Sequence, residues 1–127
     1  MKYTFKFNEA KGICMVHVTG QHKRPDDSMA LQKLARDLGN EHGCQRFLFD
    51  MTQADIISST MGTFTTGTVP VDTDHTQVRQ RIALVYSGDL SDPRFMENVA
   101  VNRGYQLRVF DRIDDAMEWL NPKSDNT

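Results

Sequence analysis

The chain has 127 residues, a length that one domain fills. With 39% hydrophobic and 25% charged residues its composition is that of an ordinary globular protein, and a net charge of −2 leaves no basic footprint for nucleic acid. Its two cysteines lie far apart, outside any Cys-x-x-Cys, and no apolar run approaches the ~18 residues of a membrane span; a disulfide scaffold and a transmembrane helix are both excluded.

Tyr3, Phe5 and Phe7 alternate with Lys2, Thr4 and Lys6. That is the period of a strand with one apolar face, not the continuous apolar stretch of a signal peptide, and it points to the cytoplasm. Asn8 to Gly12 supplies a turn, and Ile13 to Val18 reads as a second strand, apolar on both faces, with Cys14 as a small buried hydrophobe and Gly20 as the end. His22-Lys23-Arg24, followed by Asp26-Asp27, reads as solvated surface beside a helix start. Pro25 to Ser28 opens that helix, Leu31, Leu34, Ala35 and Leu38 form its core stripe, and Gly39 reads as its stop. Arg46 to Asp50 is a short apolar strand.

Ser58 to Gly67 is rich in serine, threonine and glycine, which cap helices better than they continue them. It reads as a short, weak helix held through Met61 and Phe64, and Val69 to Gln80 reads as an exposed loop. Arg81 to Tyr86 is the clearest buried strand. Asp92-Pro93 is an N-cap followed by proline at the first helical position, with Phe95, Met96, Val99 and Ala100 as the apolar stripe. Leu107 to Phe110 is the last strand. Asp111 reads as the cap of a closing helix that carries Ile113, Ala116, Met117 and Leu120 on one face. Strand–helix alternation after an opening hairpin predicts an α/β fold: a mixed, largely parallel five-stranded sheet, an antiparallel N-terminal hairpin and about four helices. Residues 1–122 form this domain, and 123–127 are a polar tail.

The run from Arg81-Ile82-Ala83-Leu84-Val85 through Leu107-Arg108-Val109-Phe110 to Ala116-Met117-Glu118-Trp119-Leu120 resembles the close of the bacterial SpoIIAA-like proteins, the STAS/SEC14-type domains. The opening hairpin and the strand Phe47-Leu48-Phe49-Asp50 fit the same order of elements. One branch of that family contains anti-sigma-factor antagonists, which bind a partner protein and are switched by phosphorylation of a serine in an Asp-Ser-Ser-Gly motif. The SEC14-like branch holds lipids or other apolar ligands. The resemblance implies a non-enzymatic regulatory domain that binds a protein partner, or alternatively a carrier for a small apolar ligand.

Ser58 and Ser59 stand where the phosphoacceptor would be. Ile57 occupies the place of the acid, and Thr60 and Met61 separate the serines from Gly62. A phosphate there would add about −1.5 to −2 charges at a helix N-terminus; the plainer reading is a serine capping a weak helix. Met61, Phe64, Tyr86, Phe95 and Met96 are the candidates for an apolar ligand pocket at the C-terminal ends of the strands, or alternatively plain core. Asp50, Asp89 and Asp92 could meet at the same edge, but Asp92 is better explained as a cap than as a Mg²⁺ ligand. The four histidines, His17, His22, His42 and His75, have no metal-ligand spacing, and His17 reads as a hydrogen-bonded, part-buried strand residue. The residues name no cofactor. The amphipathic hairpin offers an edge along which two copies could pair.

Overall fold

The structure is a computed structural model that describes residues 1–24, 26–57 and 80–122. Two strands form the opening hairpin, β1 (Lys2–Asn8) and β2 (Ile13–Lys23), followed by helix α1 (Asp26–His42) and strand β3 (Arg46–Ile57). Strand β4 (Arg81–Val85), helix α2 (Ser91–Asn102), strand β5 (Gln106–Phe110) and helix α3 (Ile113–Leu120) complete the described chain. The five strands lie side by side in chain order. β1 is antiparallel to β2, and every later neighbour pair is parallel, so the buried strand at Arg81 runs in the same direction as both its neighbours. Three helices fall among the described residues. The weak helix expected at 58–67 lies outside them, as do the loop residues up to 79 and the tail 123–127.

Strand alternation divides the core between the two faces of the sheet. Cys14, Val16, Val18, Phe47, Phe49, Met51, Leu84 and Val109 face one side, where Leu31, Ala35 and Leu38 of α1 and Met96 of α2 meet them. Ile13, Leu48, Ala83 and Val85 face the other, under Ala116 and Leu120 of α3. β2 and β3 alternate between two helical layers, so both strands are apolar on both faces, as strands sandwiched between helices must be. Beside α3, the Arg81 guanidinium lies 4.4 Å from the centre of the Trp119 ring.

Four local expectations are corrected. β2 does not end at Gly20: it continues to Lys23, with a register shift between His17 and Thr19 and Gly20 itself at φ +81°. The shift sets two steps of β2, His17 to Thr19, against three of β3, Asp50 to Gln53, so the extra residue is a bulge in β3, while in β2 glycine accepts the positive φ at position 20. α1 does not stop at Gly39 but at His42, before Gly43 at φ +66°. Gly39 is needed for close approach instead, since a Cβ there would stand 2.7 Å from Nε2 of Gln80 and 2.9 Å from the Cys44 carbonyl oxygen. Gln80, expected in an exposed loop, is fully buried, and its Nε2 donates to the Ala35 carbonyl at 3.1 Å. Neither Asp92 nor Asp111 is a helix cap: Leu90 and Arg112 hold those positions, without side-chain capping bonds. Ahead of α2 it is Asp89 that accepts from the amide and the hydroxyl of Ser91, at 2.9 and 2.7 Å.

Candidate functional site

The C-terminal ends of β2, β3 and β4 and the N-termini of α1 and α2 converge on one rim of the sheet, the place where α/β folds gather their ligands and partners. β2 reaches this rim through the basic run His22-Lys23-Arg24. The expectation that this run is solvated fails for two of its three residues, because His22 and Arg24 are buried. The Arg24 amide donates to the Ile57 carbonyl at 3.0 Å, which ties the end of β2 to the end of β3. Its guanidinium turns inward and has no solvent-exposed surface. There Nη1 pairs with the Asp92 carboxylate in the first turn of α2, and Nη2 donates to the Tyr86 hydroxyl at 2.9 Å. One cation therefore clamps β2, the residue after β4, and α2. Arginine suits the position because its planar fork serves several acceptors at once without losing its charge. Burial raises the Tyr86 pKa, and the nearby Arg24 charge offsets part of that rise.

His22 lies beside this clamp. Its Nε2 is 2.8 Å from the Ser28 hydroxyl near the start of α1, and its Nδ1 is 3.2 Å from the sulfur of Met1. A thioether has no proton to give, so Nδ1 carries the imidazole hydrogen and Nε2 accepts from Ser28. Burial, reinforced by the Arg24 charge, lowers the His22 pKa to about 4, so the ring is neutral at physiological pH. The Lys23 amide donates to Asp27 at 2.8 Å, which fastens the end of β2 to the first turn of α1 a second time.

The α3 face of the sheet carries a different polar group. His17 and Asp50 are direct neighbours across β2 and β3, and Nδ1 lies 3.1 Å from the carboxylate. The other carboxylate oxygen accepts from the Thr52 amide at 3.0 Å and from its hydroxyl at 2.6 Å. Burial pushes the Asp50 pKa up, but the bonds from Thr52 and His17 outweigh it and hold the carboxyl below its usual range. The His17 side chain is 45% exposed. A carboxylate-oriented imidazole can activate a neighbouring nucleophile, but among the described residues no hydroxyl or thiol is hydrogen-bonded to its other ring nitrogen.

The structure separates the residues singled out from the sequence. Ser58, Ser59, Met61 and Phe64 lie outside the described residues. Tyr86 and Met96 belong to the core under α1 and α2, while Phe95 is exposed on α2. The aspartates do not gather. Asp50 holds His17, Asp89 holds Ser91 and Asp92 holds Arg24, and among the described residues no group of three or more His, Cys, Asp or Glu side chains could hold a metal. An open groove of about 470 Å³ lies elsewhere, between α2 and β5, lined by Glu97, Asn98, Val101, Asn102, Leu107 and Arg108. Cys14 and Cys44 are both buried free thiols; burial and the neighbouring Cys44 push Cys14 up to about 12, which keeps it protonated and unreactive. No described helix is long and apolar enough to cross a membrane.

Sequence reasoning missed Arg24, His22 and Asp92 as members of one cluster. The only local trace was a strand-period pattern that could have been carried on past Gly20 to His22.

No protein-family model and no curated protein sequence matches the chain. Solved structures do match. An uncharacterised protein of the DUF3478 family with a SpoIIAA-like fold, from Shewanella loihica, superposes with a TM-score of 0.55 over 94% of this chain and 92% of that one, at 17% identity. An anti-sigma factor antagonist from Mycobacterium paratuberculosis superposes with a TM-score of 0.52 over 94% of each chain, at 12% identity. With the strand order and directions above, these matches show that the chain has a SpoIIAA/STAS-like fold.

Proposed function

We propose that this protein is a non-enzymatic regulatory domain that binds a protein partner through the rim formed by the C-terminal ends of β3 and β4. The observation that carries this reading is the near end-to-end structural likeness to an anti-sigma factor antagonist. The construction of the rim adds to it. Arg24, Asp92, Tyr86 and His22 are spent on holding strands and helices together, which makes the rim a firm platform. Facing outward on β3 and after β4 are Gln53, Asp55, Ile57, Ser87 and Asp89, with Lys23 of β2 opposite Ile57: a polar, mixed-charge surface around one exposed aliphatic residue. A polar surface with an apolar centre is the usual make-up of a non-obligate protein interface. The carrier reading has less behind it, because Tyr86 and Met96 pack into the core.

The test is affinity capture with the full chain as bait, followed by the same capture with Asp55→Lys and Ile57→Asp. A stoichiometric partner that both rim variants lose, and that Glu9→Lys at the opposite end of the sheet retains, supports the reading. Capture unaffected by the rim variants would move the interface elsewhere, and a fatty acid co-purifying in place of a protein would favour the carrier. In the partner-binding reading Ser58 or Ser59 is the switch, and Ser→Asp at the modified position weakens capture; phosphate mapping identifies which serine it is.

A further inference from the structure

The two edges of the sheet are built differently. β5 is short, and its Val109 amide is already taken by the Glu97 carboxylate of α2, at 2.6 Å. β1 is longer, and its backbone bonds to β2 on one side only. Among the described residues, no strand pairs with its other side. Tyr3, Phe5 and Phe7 of β1 share the α1 face with Val18, Val16 and Cys14. His42 at the end of α1 stacks on Phe7 at 5.3 Å and meets the edge of Phe5, tilted, at 6.0 Å, yet Tyr3 remains 47% and Phe5 44% exposed. A seven-residue open edge with two exposed aromatic rings is a template for strand addition.

From this edge we infer that two copies of the chain pair through β1, antiparallel and centred on Phe5, to form one continuous sheet. The choice of a second copy as the occupant follows from the strand's own residues. A two-fold axis normal to the sheet keeps the α1 faces of both copies on the same side and sets residue i opposite residue 2c − i, where c is the residue on the axis. With Phe5 on the axis, Tyr3 faces the partner's Phe7, Phe5 faces itself, Thr4 faces the partner's Lys6 and Lys2 faces the partner's Asn8. The aromatic stripe becomes a cross-strand ladder, every residue of β1 is paired and no lysine faces a lysine. Moving the axis to Thr4 sets Lys2 against Lys6, and moving it to Lys6 sets two copies of that lysine directly opposite. Aromatic pairs stabilise a sheet and opposed like charges destabilise it, so the sequence of β1 selects a single register. This pairing involves the β1 side edge of the sheet and not the strand ends of β3 and β4 that form the partner-binding rim, and it does not depend on that rim.

Sedimentation equilibrium on the full chain, from about 1 µM to about 1 mM, reads the assembly directly. The expected species at the upper end has twice the 14.5 kDa chain mass. Thr4→Lys places lysine opposite Lys6 at both symmetry-related positions and weakens the dimer roughly tenfold, whereas Thr4→Glu makes two cross-strand ion pairs and tightens it by a similar factor. Thr4 is exposed, so both variants keep the melting temperature of the monomer fold, which circular dichroism at low concentration verifies. Under mild oxidation Phe5→Cys yields a disulfide-linked dimer, because only the residue on the axis meets its own copy, and Tyr3→Cys does not. A chain that stays monomeric throughout, a dimer indifferent to charge at position 4, or equal cross-linking from positions 3 and 5 would each overturn the inference.

Discussion

Two histidines five residues apart on β2 live in opposite circumstances. His22 is 2% exposed, locked between Ser28 and Met1 and kept neutral, beside a guanidinium with no exposed surface. His17 lies on the α3 face, nearly half exposed, with one ring nitrogen on Asp50. The first cluster is sealed by the helices α1 and α2, whose first turns supply Ser28 and Asp92. The second lies on an open stretch of sheet. The same residue type on the same strand thus serves architecture in one case and remains available to solvent in the other. What differs is desolvation: a buried polar group must be paired, and breaking the pair leaves a charge or a donor with no water to turn to.

The largest effect expected from this contrast is at the ion pair. Asp92→Ala leaves the buried Arg24 guanidinium without its carboxylate and lowers stability by about 3 kcal/mol in urea titrations. The carboxylate itself is 43% exposed, so a loss below about 1 kcal/mol would mean that solvent already screens the pair and that the cluster is not sealed. Next comes acid sensitivity. The folded pKa of His22, about 4, lies below its ordinary 6.5, so the unfolded chain binds a proton more readily. Stability is fully present above pH 6.5 and declines as pH falls towards 4, by an amount on the order of 2 kcal/mol. In His22→Gln that decline disappears from urea midpoints measured across the window, while the steeper loss below pH 4 remains. Tyr86→Phe removes the oxygen that accepts from Arg24 and costs about 1–2 kcal/mol. The smallest effect belongs to the open pair: His17→Ala changes stability by about 0.5 kcal/mol or less, because water replaces the lost contact. Equal costs at His17 and His22 would erase the distinction between the two clusters.

The same contrast explains what was legible beforehand. The apolar periodicities of residues 3–7, 13–18, 31–38, 81–86 and 113–120 set out the hairpin, the alternation and the parallel sheet, and His17 was recognisable as a hydrogen-bonded strand residue because it sits inside such a pattern. The run His22-Lys23-Arg24 looked like solvated surface because charge is usually found there. The burial of Arg24 depends on Tyr86 and Asp92, more than sixty positions away, which no local window contains. Gly39 misled for a related reason. Glycine near the end of an apolar stripe suggests a helix stop, but here it makes room for Gln80, brought alongside α1 from the start of β4.

By itself the sequence determined which residues turn towards a core and in what order strands and helices follow one another. Those properties are set by backbone geometry and by the transfer of apolar side chains out of water, and both act over a few neighbouring residues. Only the tertiary structure decided which polar side chains are sealed inside and which edge of the sheet stays open. A buried charge is tolerable only where partners from distant segments arrive to meet it, and an edge is closed only where a helix such as α2 brings a carboxylate to its amides.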